Sequence, residues 1–425
     1  MASTCAVIGA QTSGDRAMKI LMAHNYYQQR GGEDAVFEAE RDLLRARGHE
    51  VLELTFHNEA IDSRAAALSA GAKGFYNPQA ARQTRRIIRD ERPDVMHVHN
   101  WFPLASPSIF SAAHGEGVPV VATLHNFRLI CPKAQLFREG RPCEACVKQP
   151  LALSGILHGC YRDSRLQSAA VAGINAWHGV IGTWQHHVDA FIALTDFARQ
   201  KLLSGAMGLT PSQVVVKPNF CGDPGDNDAP REDFFLFVGR LSPEKGIETL
   251  LQAFAQTGLP LRLVGTGPLS ARAAQAAAQF PNIVYEGFLP PADVRQRMMR
   301  ARALTFPSLW YEGFPLTLVE ALACGAPALV SQMGGLPEIV AHEAQGLLIP
   351  PGDADALADA TLRIAADAGL RQRLSHNARQ KYLNQYTAEV TYEHLRGIYA
   401  RVCDARRDRR LQFADETPQT SPAGR

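Results

Sequence analysis

The chain has 425 residues, 46% hydrophobic and 20% charged, with a formal net charge of +2. That length exceeds what one hydrophobic core usually supports and predicts two domains, while the near-neutral charge argues against a nucleic-acid partner. No apolar run reaches the ~18 residues of a membrane-spanning helix, so none is expected.

Residues 1–17 (MASTCAVIGAQTSGDRA) lack the basic start and apolar centre of a secretory leader. They are expected to be a disordered extension, with Met18 as an alternative start. Eight cysteines without such a leader predict a reducing, cytoplasmic setting in which thiols stay free or bind metal. From 18 to 220, apolar runs predict strands at Lys19–His24, Val51–Phe56, Val95–His99, Val118–Leu124, Ala190–Leu194 and Val214–Lys217. Helical spacing places helices at Glu33–Arg47, Ala80–Glu91 and Thr195–Ser204 between them. The polar stretch 221–233 reads as a linker. Alternation then restarts over 234–385, with strands at Phe234–Val238, Leu261–Val264, Ile283–Tyr285, Ala303–Phe306 and Ala328–Val330. Residues 386–410 predict a helix returning to the first domain, and 411–425 a disordered tail. Strand–helix alternation of this kind predicts an α/β fold: two Rossmann-like domains facing each other across a cleft, with ligands at the carboxyl ends of the strands.

The densest chemistry lies at 307–325, PSLWYEGFPLTLVEALACG, where Glu312 precedes a helix and Glu320 lies inside it. Pro315 suits a first helical turn. The free amides over Gly313, Phe314, Pro315, Leu316 and Thr317 make an anion site at the helix start, flanked by two carboxylates able to accept from sugar hydroxyls. Two cations, Arg240 and Lys245, follow the strand FFLFV and could neutralise a diphosphate. Gly265 and Gly267 form a turn after the next strand, and Gly334-Gly335 a third. In the first half, Gly31 and Gly32 precede a helix whose first turn carries Glu33 and Asp34. His125 stands just past a strand end, and His97 and His99 share one strand face, which makes at least one of them a core residue.

Taken in order, GRLSPEKG, VGTGP, the Glu-x7-Glu helix start and GGLPE resemble the family-4 retaining glycosyltransferases of the GT-B fold across the whole second half. The resemblance implies that Arg240 and Lys245 hold the donor diphosphate and Glu320 the ribose hydroxyls. Glu312 and the Gly313–Thr317 amides would meet the donor sugar and its phosphates. Gly31 and Gly32 would face donor and acceptor, and His125 the sugar near its reacting carbon. It further implies transfer of a hexose from a UDP- or GDP-linked sugar to a saccharide or lipid-linked glycan in surface polysaccharide synthesis. Catalysis would need no metal or other cofactor, and the enzyme would be cytoplasmic or peripheral at the inner membrane face. A nucleotide-sugar epimerase and a non-catalytic nucleotide-sugar-binding protein are the alternatives.

Two Asp-x-Asp strings, 226–228 and 353–355, resemble metal-binding carboxylate pairs. The first lies in the linker and the second opens a helix, where Asp is a natural cap. Cys131, Cys143, Cys146 and Cys160 are spaced C-x11-C-x2-C-x13-C. They suit either a structural zinc site, with His158 an alternative ligand, or four free thiols. The family supplies no role for this insertion at 131–160. Ser168–His187, with two Trp, reads as a buried helix rather than one resting on a membrane.

Overall fold

The computed structural model describes residues 16–28, 30–58, 71, 73–225 and 230–415. The extension 1–15, the 226–228 acidic string and the end of the chain from 416 lie outside the described residues.

The first domain is built on β1 (Lys19–Tyr26), β2 (Glu50–His57), β3 (Val95–Val98) and β4 (Val120–Leu124). The insertion contributes β5 (Phe137–Arg138) and β6 (Arg141–Pro142), a short antiparallel pair, before β7 (Ala190–Ala193) and β8 (Val214–Val216). The second domain carries β9 (Phe235–Val238), β10 (Leu261–Val264), β11 (Ile283–Gly287), β12 (Ala303–Phe306), β13 (Ala328–Ser331) and β14 (Gly346–Ile349). Each domain forms a six-stranded parallel sheet, ordered β2-β1-β3-β4-β7-β8 and β11-β10-β9-β12-β13-β14. Strands such as VVATL and ALTF are buried at every position because helices cover both sheet faces.

Chain order reverses between β1 and β3 in the first sheet, and between β9 and β12 in the second. At such a switch point neighbouring loops leave in opposite directions and open a crevice beyond the strand ends. Those four strands deliver the Gly31-Gly32 loop, His99, the Arg240 loop and the segment leading to Glu312. The fold therefore brings the sequence-predicted motifs to the two crevices.

The last helix, Ala388–Asp415, crosses back to the first domain. Its Tyr392, Leu395, Ile398, Tyr399 and Val402 share a buried cluster with Ile20, Met22, Phe37 and Ile192. It runs to Asp415, so the tail expected from 411 begins as helix. The expected burial of Ser168–His187 is corrected. Within the helix Arg165–Val180, Val171, Ala172 and Ile174 face inward, but Leu166 (77%), Trp177 (54%) and Val180 (82%) are exposed. Trp184, just beyond it, is the fully buried one. The sequence pattern also missed β14, whose Gly346 passes so close to the Ala328 carbonyl that an added Cβ would lie 1.9 Å from it.

Candidate active site

Loop packing against glycine places the cations. At Gly246 φ is +71° and a Cβ would sit 1.9 Å from the Pro307 carbonyl oxygen, so only glycine lets the Lys245 turn lie against the segment after β12. The Leu309 amide donates to the Glu244 carbonyl at 2.8 Å and locks the same pair of loops. Lys245 Nζ then donates to Glu312 Oε1 at 2.7 Å, and Ser308 Oγ donates to that oxygen at 2.6 Å. The ammonium stands 5.3 Å and 5.5 Å from the ring centres of Phe306 and Trp310. Glu312 is 6% exposed, and Lys245 is its ion-pair partner.

Gly265 and Gly267 have a packing reason. Their Cβ positions would lie 1.9 Å from the Gly239 carbonyl oxygen and 2.4 Å from that of Leu241. The Leu241 amide donates to Thr266 O at 3.0 Å. These contacts fix the turn that carries Arg240, which is exposed and forms no ion pair among the described residues. Arg240 contributes to a cavity of about 570 Å³ otherwise walled by the first domain, including Tyr27, Phe102, Arg128, Tyr161 and Arg162. Arg128 lies over the rings of Phe102 and Tyr161, at 4.6 Å and 5.5 Å.

The helix after Glu312 spans Leu316–Ala323, with Pro315 as the residue before it. Its first amides, Leu316 and Thr317, precede the first intrahelical bond and point out of the helix end. Glu320 lies half-buried on this helix; burial raises its carboxyl above the usual range, and Arg295 opposes the shift. Gly313 touches the other domain, because a Cβ there would fall 2.5 Å from the His125 carbonyl oxygen.

On the first-domain side, the Gly31 amide donates to Asp34 Oδ2 at 2.8 Å, while Asp34 Oδ1 meets His24 Nε2 at 2.7 Å. Asn126 Nδ2 donates to Glu33 Oε1 at 2.5 Å, tying the loop to the residue after His125. His125 Nε2 lies 3.2 Å from His99 Nδ1. His99 Nε2 in turn faces Glu40 Oε2 at 3.5 Å, and Glu40 forms a buried ion pair with Lys217. A His99 ring protonated toward Glu40 leaves its Nδ1 to accept from His125 Nε2–H. Burial, then the charges of Lys217 and His24, push His125 down to about 3, and burial holds His97 and His99 well below the ordinary imidazole value. Glu40, His97 and His99 bring three ligand atoms within 4.8 Å of one another. The Lys217 ammonium already neutralises Glu40, and His97 is engaged at both nitrogens, by Tyr399 Oη (2.7 Å) and Thr123 Oγ1 (2.8 Å). That trio is a structural network rather than a metal centre.

Several contributors were not read from sequence. Tyr311 Oη donates to Glu144 at 2.9 Å, and Lys201 Nζ donates to both Glu144 oxygens at 2.7 Å. Glu338 of the GGLPE turn accepts from the Asp196 and Phe197 amides, both at 2.7 Å, and so caps a first-domain helix from the second domain. Asp353, by contrast, accepts from the Ala356 amide as the helix cap expected from the sequence. A signal existed for Glu40: it occupies the apolar stripe Val36, Phe37, Leu43, Leu44, where a carboxylate needs a buried partner.

Residues 31–221 match the family described as Glycosyltransferase Family 4, and residues 225–381 match Glycosyl transferases group 1. The chain is 30% identical over 179 residues to the O-antigen chain mannosyltransferase C of Escherichia coli, covering 41% of this chain and 48% of that protein. It is 26% identical to the phosphatidyl-myo-inositol mannosyltransferase of Mycobacterium leprae over 78% of this chain and 83% of that one. The first of these alignments thus spans about half of the relative's length. Among solved structures, the Anabaena protein HepE in complex with UDP superposes with a TM-score of 0.64 at 18% identity, covering 90% of this chain and all of HepE. With both halves matched in order and the paired sheets in place, the chain belongs to the group 1 and family 4 glycosyltransferases of the GT-B fold.

Proposed function

We propose that the enzyme transfers a hexose from a UDP- or GDP-linked sugar to a saccharide or lipid-linked glycan in glycoconjugate or surface polysaccharide synthesis. It does so with retention and without a catalytic metal. The observation that carries this reading is the Lys245–Glu312 pair at 2.7 Å, set beside the open amides of Leu316 and Thr317 and against the first domain through Gly313. As the bond from the anomeric carbon to the phosphate oxygen breaks, negative charge grows on the diphosphate. Lys245, Arg240 and the helix start supply fixed positive potential there, the arrangement that usually contributes most to such catalysis. With these cations no divalent ion is required. In this reading Glu320 meets the ribose hydroxyls and His125 the sugar. Glu312 is engaged by Lys245 and Ser308 rather than left free as a nucleophile. Front-face attack follows, with the acceptor proton passing to the leaving phosphate oxygen.

The acceptor would occupy the 570 Å³ cavity. No helix of the described residues is long and apolar enough to cross a membrane, but Leu157, Leu166, Trp177 and Val180 are exposed on the two helices Leu153–Leu157 and Arg165–Val180, the second of which lines that cavity. Such a face supports a lipid-linked acceptor met at the inner membrane surface. The HepE complex with UDP supports a uridine-linked donor, and the mannosyltransferase relatives support a hexose as the transferred sugar.

The deciding experiment incubates the enzyme with UDP- or GDP-hexoses and saccharide acceptors without added Mg²⁺ or Mn²⁺ and follows nucleotide release and product anomers by NMR. Release of nucleoside diphosphate with an α-configured product is expected from an α-linked donor. Arg240→Ala should lose about a hundredfold in turnover at saturating donor, the usual effect of removing one such group. Unchanged turnover in that variant, or dependence on an added divalent ion, refutes the assignment.

A further inference from the structure

We propose that Cys131, Cys143, Cys146 and Cys160 bind one Zn²⁺ as a structural four-thiolate centre that fixes Glu144 beneath the active-site loop. The four residues come from separate turns of the insertion, yet all line one cavity of about 10 Å³. A space of that size suits a single ion rather than an organic ligand. None of the four is in a disulfide. Lys133 and Arg138 line the same cavity. Four thiols would lose four protons as four Zn–S bonds form, leaving a centre of net charge −2 beside two cations. The Gly155 amide donates to Cys146 Sγ at 3.1 Å, the kind of contact that stabilises sulfur carrying negative charge.

The backbone also calls for a cross-link. Six of the nine non-glycine residues with positive φ among the described residues fall between 134 and 163: Ala134, Leu136, Glu139, Ala152, Arg162 and Asp163. Cys131, Leu136 and Val147 reach the main core. The turns bearing the other thiols rest on a cluster of only Cys146, Ala152 and Ala172, with Ile156 against it. A metal organises a segment of this kind where apolar burial is scant. The thiols line the cavity more widely than the Glu40, His97 and His99 atoms that meet within 4.8 Å, so binding draws them in to Zn–S distances of about 2.3 Å. Glu144 sits inside the Cys143–Cys146 turn, where it accepts from Tyr311 and Lys201. Tyr311 immediately precedes Glu312, so the centre supports the donor loop from the opposite domain.

The test uses the full chain purified with a reductant, and its readout is independent of any donor or acceptor. Metal analysis is expected to find one zinc per chain. Replacement by Co²⁺ should give intense sulfur-to-cobalt charge-transfer absorption with tetrahedral d–d bands. Cys143→Ser with Cys146→Ser abolishes both, whereas Glu144→Ala retains them. Stripping the metal from the wild type should open residues 131–160 to limited proteolysis. A reduced wild-type chain that carries no zinc and shows no thiolate–cobalt spectrum overturns the proposal even if the double variant fails to fold. Loss of metal in Glu144→Ala, or proteolysis unchanged by stripping, overturns the structural role.

Discussion

Gly313→Ala isolates the contact on which closure of the two domains depends. The backbone of Gly313 is not in the left-handed region, so alanine brings no conformational penalty of its own. Its methyl group would stand 2.5 Å from the His125 carbonyl oxygen, and reaching ordinary contact needs a retreat of about 0.9 Å. The retreat can be taken by the Glu312–Thr317 loop, by the end of β4, or by opening of the domains. Every route moves the Leu316 and Thr317 amides relative to His125. A displacement near 1 Å typically costs about a hundredfold in rate, so kcat/KM should fall by roughly 30- to 100-fold. Stability should change little, by about 1 kcal/mol at the low end of overpacking, because neither buried sheet core is touched. Steady-state transfer kinetics beside a thermal melt measure both. Gly397→Ala, on the exposed side of the last helix, is the matched control, since nothing lies within 4 Å of its added Cβ. A Gly313→Ala enzyme within threefold of wild type refutes the closed-cleft geometry.

The buried charges give two further expectations. Lys217→Met leaves the Glu40 carboxylate buried without its cation and should cost about 3–5 kcal/mol; adding Glu40→Gln should recover part of it. Urea denaturation reads both, and a loss under about 1 kcal/mol would remove the pair from the stability argument. For pH, the folded values of His97, His99 and His125 lie below the unfolded value of ~6.5. Stability from their neutral forms is present above that value and is lost as the pH falls from it toward the folded values. Between about pH 7.5 and about 5.5 each excluded proton costs about 1.4 kcal/mol. The sum approaches ~4 kcal/mol, less a discount for the partly exposed His125. Denaturation midpoints that do not move over that interval would contradict the burial-driven shifts.

The second domain was legible because its chemistry is local. Arg240, Lys245, Glu312 and the helix start each follow a strand within a few residues, so order along the chain translates into position at one switch point. The glycines of those loops were legible too, although as ligand-facing turns. Gly265 and Gly267 are needed where they stand because the Gly239–Leu241 backbone passes against them. The first domain was read less fully. Glu40, His99 and Lys217 come from a helix, a strand end and a segment far along the chain, and no local spacing announces that they meet. Tyr311 and Glu144 belong to different domains for the same reason. Ser168–His187 was misread because its small residues, which suggest burial, line only the inner face, while Leu166, Trp177 and Val180 carry the outer one.

These two kinds of legibility correspond to a division of labour in the molecule. A diphosphate presents the same charge whatever sugar it carries, so a cation, an ion-paired carboxylate and a helix start suffice to hold it, and short stretches of chain can encode them. An acceptor is discriminated by shape and by many separate contacts, which must come from several segments at once. The cavity bearing Arg128, Tyr161 and Arg162 is assembled in that way, partly from the insertion's margin. The insertion also holds Glu144 against Tyr311, one residue from Glu312. A change in how the first domain is filled therefore has a direct mechanical route to the donor loop. Under the proposed assignment of donor and acceptor sides, Tyr311→Phe removes the hydrogen bond to Glu144, and that enzyme should bind donor as before while losing part of the advantage that a bound acceptor gives to transfer over simple hydrolysis.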